Sequence, residues 1–183
     1  MKRRKKTSKK LDSSFSDTFR TVVIDQTRKA VGAEVAYAWF PQGERISLPY
    51  WRESEAVRLL GAVTDDGESF YASVADSFNS ETTISYLKAL REEFGERLHL
   101  VWDNATYFIA TDVKEFIAES EMCVTYLPTG SPDMNPVEEC WRQLKQRLGN
   151  RLFDSRREIH EAAWPILEHI EPPKISDYLC PSV

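Results

Sequence analysis

The sequence predicts an α/β fold built on a mixed sheet with flanking helices. Short β-branched, apolar runs of strand length recur along the chain, from "FRTVVID" to "LHLVWD" and "MCVTYLP". An Asp-Gly pair sits inside "RLLGAVTDDGESFYASVAD", the strongest hairpin signal in the chain. After that hairpin the apolar period changes to helical spacing, and helical and strand segments alternate. With 183 residues, 42% of them hydrophobic, the chain can bury one core of ordinary domain size.

In chain order, residues 1–19 read as an unstructured arm, charged and then Ser-rich, with no apolar period. "FRTVVID" is a buried strand expected to end at Asp25. "AEVAYAWF" alternates weakly and runs into the turn "PQGER". The hairpin strands follow, so that three consecutive strands are expected to be antiparallel. "SETTISYLKALREEFG" is a helix, with Ile84, Leu87, Leu90 and Phe94 on one face, Ser80 as its cap and Gly95 as its stop. "LHLVWD" is a strand ending at Asp103, "TDVKEFIAES" a short helix, and "MCVTYLP" a further strand. "NPVEECWRQLKQRLGN" is a helix capped by Asn135, with Pro136 in its first turn and Gly149 beyond its end. Its apolar stripe is Val137, Cys140, Trp141, Leu144 and Leu148. A last helix, "SRREIHEAAWPILEHI", is expected to be kinked or divided by Pro165. The organisation expected is an arm over 1–19, one domain over 20–170 and a tail over 171–183. No repeats occur.

Composition excludes several classes. No apolar run approaches the ~20 residues needed to span a bilayer, and the N-terminus lacks a signal-peptide h-region. Cys123, Cys140 and Cys180 are odd in number and without ligand spacing, which fits free thiols in a reducing compartment. His99, His160 and His169 stand apart from them, against a zinc site. Charge is uneven. "MKRRKKTSKK" holds seven of the 24 basic residues, and the net charge of −5 becomes −12 once those seven are set aside. Such a basic block suits a polyanion, although a solvated leader without a role has the same composition. The acidic, lysine-poor remainder suggests a salty cytoplasm, as in a halophilic archaeon.

Asp25, Asp103 and Glu138 are three hard oxygen donors at strand ends and a helix start. Hard oxygen suits Mg²⁺ or Mn²⁺, and two such ions about 3.5–4 Å apart promote phosphodiester cleavage. Each residue also has an ordinary reading. Asp25 can cap the turn "DQTR", Asp103-Asn104 is turn chemistry, and Glu138 holds the capping-box position relative to Asn135.

The stretch "SPDMNPVEECWRQLK", residues 131–145, resembles the last motif of DDE transposases of the mariner superfamily. It is most similar to the prokaryotic insertion-sequence-630 family. That pattern, Ser-Pro-Asp-Leu-Asn-Pro-Ile-Glu and then Trp and Leu-Lys, is met by Ser131, Pro132, Asp133, Asn135, Pro136, Glu138, Trp141, Leu144 and Lys145. "LVWDNA", residues 100–105, matches the middle motif, and 34 residues separate Asp103 from Glu138, as in that branch. "WFPQG" matches a further family element in Trp39, Pro41 and Gly43.

The resemblance implies a ribonuclease H-like fold, a mixed five-stranded sheet with flanking helices. It implies that Asp25, Asp103 and Glu138 are the catalytic residues and the metal ligands, for Mg²⁺ or Mn²⁺ and two ions. Glu139 is then a bystander. The implied activity is nicking at transposon ends followed by transfer of the freed 3′-hydroxyl to target DNA. Two departures stand out: Gln26 follows the first aspartate where relatives carry Glu, and Thr106-Tyr107-Phe108 replaces a Pro and a nearby His. Arg142 and Lys145 are candidate phosphate contacts, as are Lys2, Arg3, Arg4, Lys5 and Lys6 in the arm; positive charge near the C-terminal end of a helix is the plain alternative for the first two. Trp141 is expected to pack in the core. Family members carry helix-turn-helix domains, which residues 1–19 cannot form, so the chain resembles a catalytic domain alone, from a split frame or a truncated copy. A homodimer, or a partner supplying those domains, is expected, with DNA as substrate and a cytoplasmic location at the nucleoid. The alternative is a catalytically silent remnant that dimerises with, or competes against, a full-length transposase.

Overall fold

A computed structural model describes residues 19–32, 55–149 and 151–179. The basic arm with Lys2, Arg3, Arg4, Lys5 and Lys6, the run "AEVAYAWF", the element Trp39, Pro41 and Gly43, and Cys180 lie outside the described residues.

Five strands form one sheet: β1 (Arg20–Ala30), β2 (Ala56–Thr64), β3 (Ser69–Val74), β4 (Leu98–Trp102) and β5 (Cys123–Tyr126), in the order β3-β2-β1-β4-β5. β1, β2 and β3 pair antiparallel, whereas β4 lies parallel to β1 and β5 parallel to β4. A short turn over residues 65–68 joins β2 to β3, and the parallel pairs need helical crossovers. Those crossovers are α1 (Ser80–Phe94) and α2 (Thr111–Ala118). α3 (Pro136–Leu148), α4 (Arg156–Leu167) and α5 (Ser176–Leu179) complete the chain. The mixed five-stranded sheet with flanking helices is therefore the fold expected.

Each face of the sheet has its own core. One is built on Val22, Ile24, Leu60, Leu100 and Trp102 with Leu87 and Leu90 of α1. The other is built on Val23, Leu59, Val63 and Val101 with Val137, Trp141 and Leu144 of α3. The alternation along β1 thus divides even residues from odd ones, and Asp25 falls on the α3 side.

Several local expectations change. β1 does not end at Asp25; it continues to Ala30 because β2 supplies ladder partners from Val22↔Thr64 through to Ala30↔Ala56. The cap of α1 is Asn79, not Ser80. Thr82 N–H donates to Asn79 Oδ1 at 2.8 Å and Asn79 N–H to Thr82 Oγ1 at 3.0 Å, a reciprocal pair that a Ser80 start would forgo. Pro165 does not divide α4, since it falls in the last turn. Beyond α4, Ile170 and Ile175 are buried in the α3-side core, and Leu179 packs against it. The Asp-Gly hairpin is as read: Gly67 takes φ 83° and its N–H donates to the Thr64 carbonyl at 3.0 Å.

Candidate active site

The sheet register brings the two aspartates together. β1 and β4 run parallel with Val23 opposite Val101, and the same offset carried two residues on sets Asp25 beside Asp103. Both then point to the α3 side. Asp25 is only 4% exposed, whereas Asp103 is half-buried just past the end of β4. The turn chemistry of "DNA" is real and compatible with this placement. Ala105 N–H donates to Asp103 Oδ1 at 3.0 Å, and Asn104 Nδ2 donates to the Leu127 carbonyl at 3.1 Å beyond β5.

Glu138 arrives from the first turn of α3. Asn135 caps that helix by accepting the Val137 N–H at 3.0 Å, and Pro136 needs no acceptor for a missing N–H. The capping-box reading of Glu138 is not what forms: the Asn135 N–H donates to the Pro132 carbonyl at 2.9 Å instead. Glu138 is exposed, and its charge acts on Asp25. Glu139 is engaged elsewhere. It accepts both Arg142 Nε and a terminal nitrogen at 2.6 Å, and Gln143 Nε2 at 3.2 Å. Arg142, a candidate phosphate contact, is therefore forked onto a carboxylate one turn back, while Lys145 is exposed on the next turn.

Burial pushes the Asp25 carboxyl up to about 7. Next in effect is the negative charge of Glu138; the Gln26 backbone N–H opposes it, Asp103 reinforces it, and the Trp141 indole opposes it last. Two further residues of this neighbourhood are not among the sequence-predicted site residues. Trp141, fully buried, donates its Nε1–H to Asp25 Oδ2 at 2.9 Å. Tyr107 lies close enough that burial, then Asp103 and Asp25, raise its hydroxyl well above the usual phenol range. Its ring stacks on Phe78 with centroids 5.4 Å apart. The sequence signals for Trp141 are its place in the 131–145 motif and on an apolar stripe, and both suit a core residue equally well.

The donor chemistry fits a divalent cation. A carboxylate raised by burial and then by neighbouring carboxylates is what a positive ion would relieve, and all three donors are hard oxygen. The three are not closed around a point, however. Among the described residues, no three His, Cys, Asp or Glu side chains stand at metal-ligand spacing. A groove of about 700 Å³ lies elsewhere, lined by Phe70, Phe94, Trp164 and several glutamates, and none of the three carboxylates borders it. Among the described residues no helix is long and apolar enough to cross a membrane.

Known proteins bear on this geometry. The chain is similar in fold to a Mos1 transposase paired-end complex with left transposon end, at TM-score 0.67 and 16% identity over 87% of this chain and 51% of that one. The Mos1 mariner paired-end complex with Mn gives the same values. The isolated catalytic domain of Mos1 mariner transposase matches at TM-score 0.57 and 14% identity, over 87% of this chain and 80% of that one. This chain therefore spans about half the length of the complete Mos1 chains. No curated protein sequence matches it. The pattern of the DDE superfamily endonucleases matches residues 20–160, a stretch that holds the sheet, all three carboxylates and α3, and the chain belongs to that family.

Proposed function

We propose that the chain is a transposase catalytic domain, a metal-dependent DNA endonuclease and strand transferase that cuts transposon ends and joins them to target DNA. The observation that carries this reading is the DDE superfamily endonuclease pattern over residues 20–160, supported by the register that sets Asp103 beside the buried Asp25 and by the charge of Glu138 acting on it. Asp25, Asp103 and Glu138 would hold Mg²⁺ or Mn²⁺. Such ions, two in this proposal, would supply a nucleophilic oxygen at neutral pH and neutralise the leaving oxygen.

The protein's own groups do the rest. Asp25 is walled from water, so its attraction to a cation beside it would be little diluted. Glu138 is exposed on the opposite wall, where a DNA backbone has access. Lys145 on the exposed side of α3, with Arg142 once released from Glu139, offers cations to phosphate. The basic residues Lys2, Arg3, Arg4, Lys5 and Lys6 add attraction without sequence preference.

The motif spacing supports a finer assignment to the prokaryotic insertion-sequence-630 branch. Residues 20–170 are then the catalytic unit, acting at the nucleoid as a homodimer or with a partner that brings helix-turn-helix domains. The acidic body suits a halophilic host. Supercoiled DNA incubated with the protein and Mn²⁺, with and without a DNA-binding partner, tests the reading. Nicking that requires the metal and is lost in Asp103→Asn is expected. Its absence in every combination would favour the silent remnant.

A further inference from the structure

The indole of Trp141 packs against one face of the sheet. In the register, Tyr71 of β3, Gly61 of β2 and Asp25 of β1 form a single row, and residues directly opposite share a face. The Trp141 ring lies over that row. It meets Tyr71 at a centroid separation of 5.7 Å and reaches Asp25 Oδ2 with its Nε1–H at 2.9 Å. Between them stands Gly61. A Cβ there would come within 2.6 Å of both Cη2 and Cζ2 of the indole, closer than packed atoms approach. The glycine is thus the clearance that lets the ring lie flat enough for its nitrogen to arrive at the carboxylate. Gly61 is an ordinary, extended strand residue, so backbone conformation does not demand glycine; the ring does.

We propose that Trp141 is a positioning residue for Asp25, and that Gly61 is the pocket floor that seats it. One carboxylate oxygen is held by a fixed N–H donor that cannot deprotonate or rotate away, because Trp141 is fully buried between α3 and the sheet. The carboxylate plane is thereby set before any cation or DNA arrives. Groups that orient a ligand from behind commonly govern metal affinity as strongly as some ligands do. Hydrophobic packing alone explains a large residue here, but not an indole with its nitrogen on the one buried carboxylate of β1. The inference rests on the proposed metal site and specifies how that site is held in shape.

The test uses the full chain. Trp141→Phe keeps an aromatic ring in the core and deletes the N–H. Mn²⁺ binding is read by electron paramagnetic resonance, with a thermal melt to verify folding. The expected result is a roughly 10- to 100-fold weaker Mn²⁺ affinity in a protein that still melts cooperatively. In wild type labelled with ¹⁵N-tryptophan, the indole resonance absent from the Phe variant is expected to shift as Mg²⁺ is added, which a purely structural tryptophan would not do. Gly61→Ala retains the indole but displaces it, and the same loss of affinity is expected there should the Phe variant fold poorly. Wild-type affinity in a folded Trp141→Phe or Gly61→Ala protein, together with an indole resonance indifferent to Mg²⁺, would overturn the positioning role alone. Failure of the wild type to bind Mn²⁺ at all would overturn the metal site, and this inference with it.

Discussion

Glu138 and Glu139 are neighbours in sequence but answer to different partners. The Glu139 carboxylate is forked onto Arg142 and lies below its ordinary ionisation range, with the Arg142 hydrogen bonds as the largest cause. Glu138, one step round α3, exerts its charge on the buried Asp25 instead. A rotation of about 100° per residue is what separates an intrahelical ion pair from a site facing the sheet.

That separation predicts opposite fates for two isosteric changes. Glu138→Gln is expected to lower Mn²⁺-dependent nicking by at least about 100-fold, since the proposed ligand and its charge are lost together. Glu139→Gln is expected to stay within a few-fold of wild type, because an exposed ion pair contributes only about 0.2–1 kcal/mol. Nicking rates on supercoiled DNA decide it, and the reverse ranking would exchange the two assignments.

The cap of α3 couples stability to the site. Asn135→Ala removes the acceptor of the Val137 N–H and is expected to cost about 1 kcal/mol in urea unfolding. Nicking should fall further than that loss of stability explains, because Glu138 sits in the turn that the cap organises. Asn135→Asp, which retains an acceptor, is expected to recover most of both.

Asp25 makes stability depend on pH in a stated direction. Its carboxyl is raised from an ordinary 3.8 to about 7 in the folded chain, so the unfolded chain releases this proton first. From this group, the metal-free protein is therefore most stable below pH 4. It loses stability as pH rises from there to about 7 and levels off above, by on the order of 4 kcal/mol at most. Asp25→Asn is expected to flatten that window, and Mg²⁺ added at pH 8 to raise the wild-type melting temperature but not that of Asp25→Asn. Melts at pH 5 and pH 8 check both.

The Tyr107 hydroxyl remains protonated throughout the neutral range. Tyr107→Phe keeps the stack on Phe78 and deletes one O–H donor beside two aspartates. The expected effect is a several-fold loss of nicking with an unchanged melt. A loss as large as that of Asp103→Asn would promote this tyrosine to a group touching the reacting atoms.

Much of this was legible in the chain alone because it is local. The Asp-Gly turn, the Asn135-Pro136 start of α3, the Gly95 stop and the alternation of β1 each depend on neighbours a few residues away. The same applies to the family resemblance, since its motifs are contiguous. The cap of α1 was missed by one residue because Asn79 and Ser80 are both good caps, and only the reciprocal bond with Thr82 distinguishes them. The length of β1 was missed because strand ends are set by the partner strand, and Ala56 lies 26 positions beyond Ala30.

The sequence by itself determined the alphabet of the site: three hard carboxylates, the helix that carries one of them, and the mixed sheet beneath. Only the tertiary structure showed that the charge of Glu138, the glutamate the family motif singles out, acts on a buried Asp25, and that a tryptophan 116 residues away holds its oxygen across a glycine. The physical reason is range. Caps and periods act along the chain, whereas burial, charge repulsion and the 2.9 Å reach of an indole act through space between strands and helices that only the register brings together.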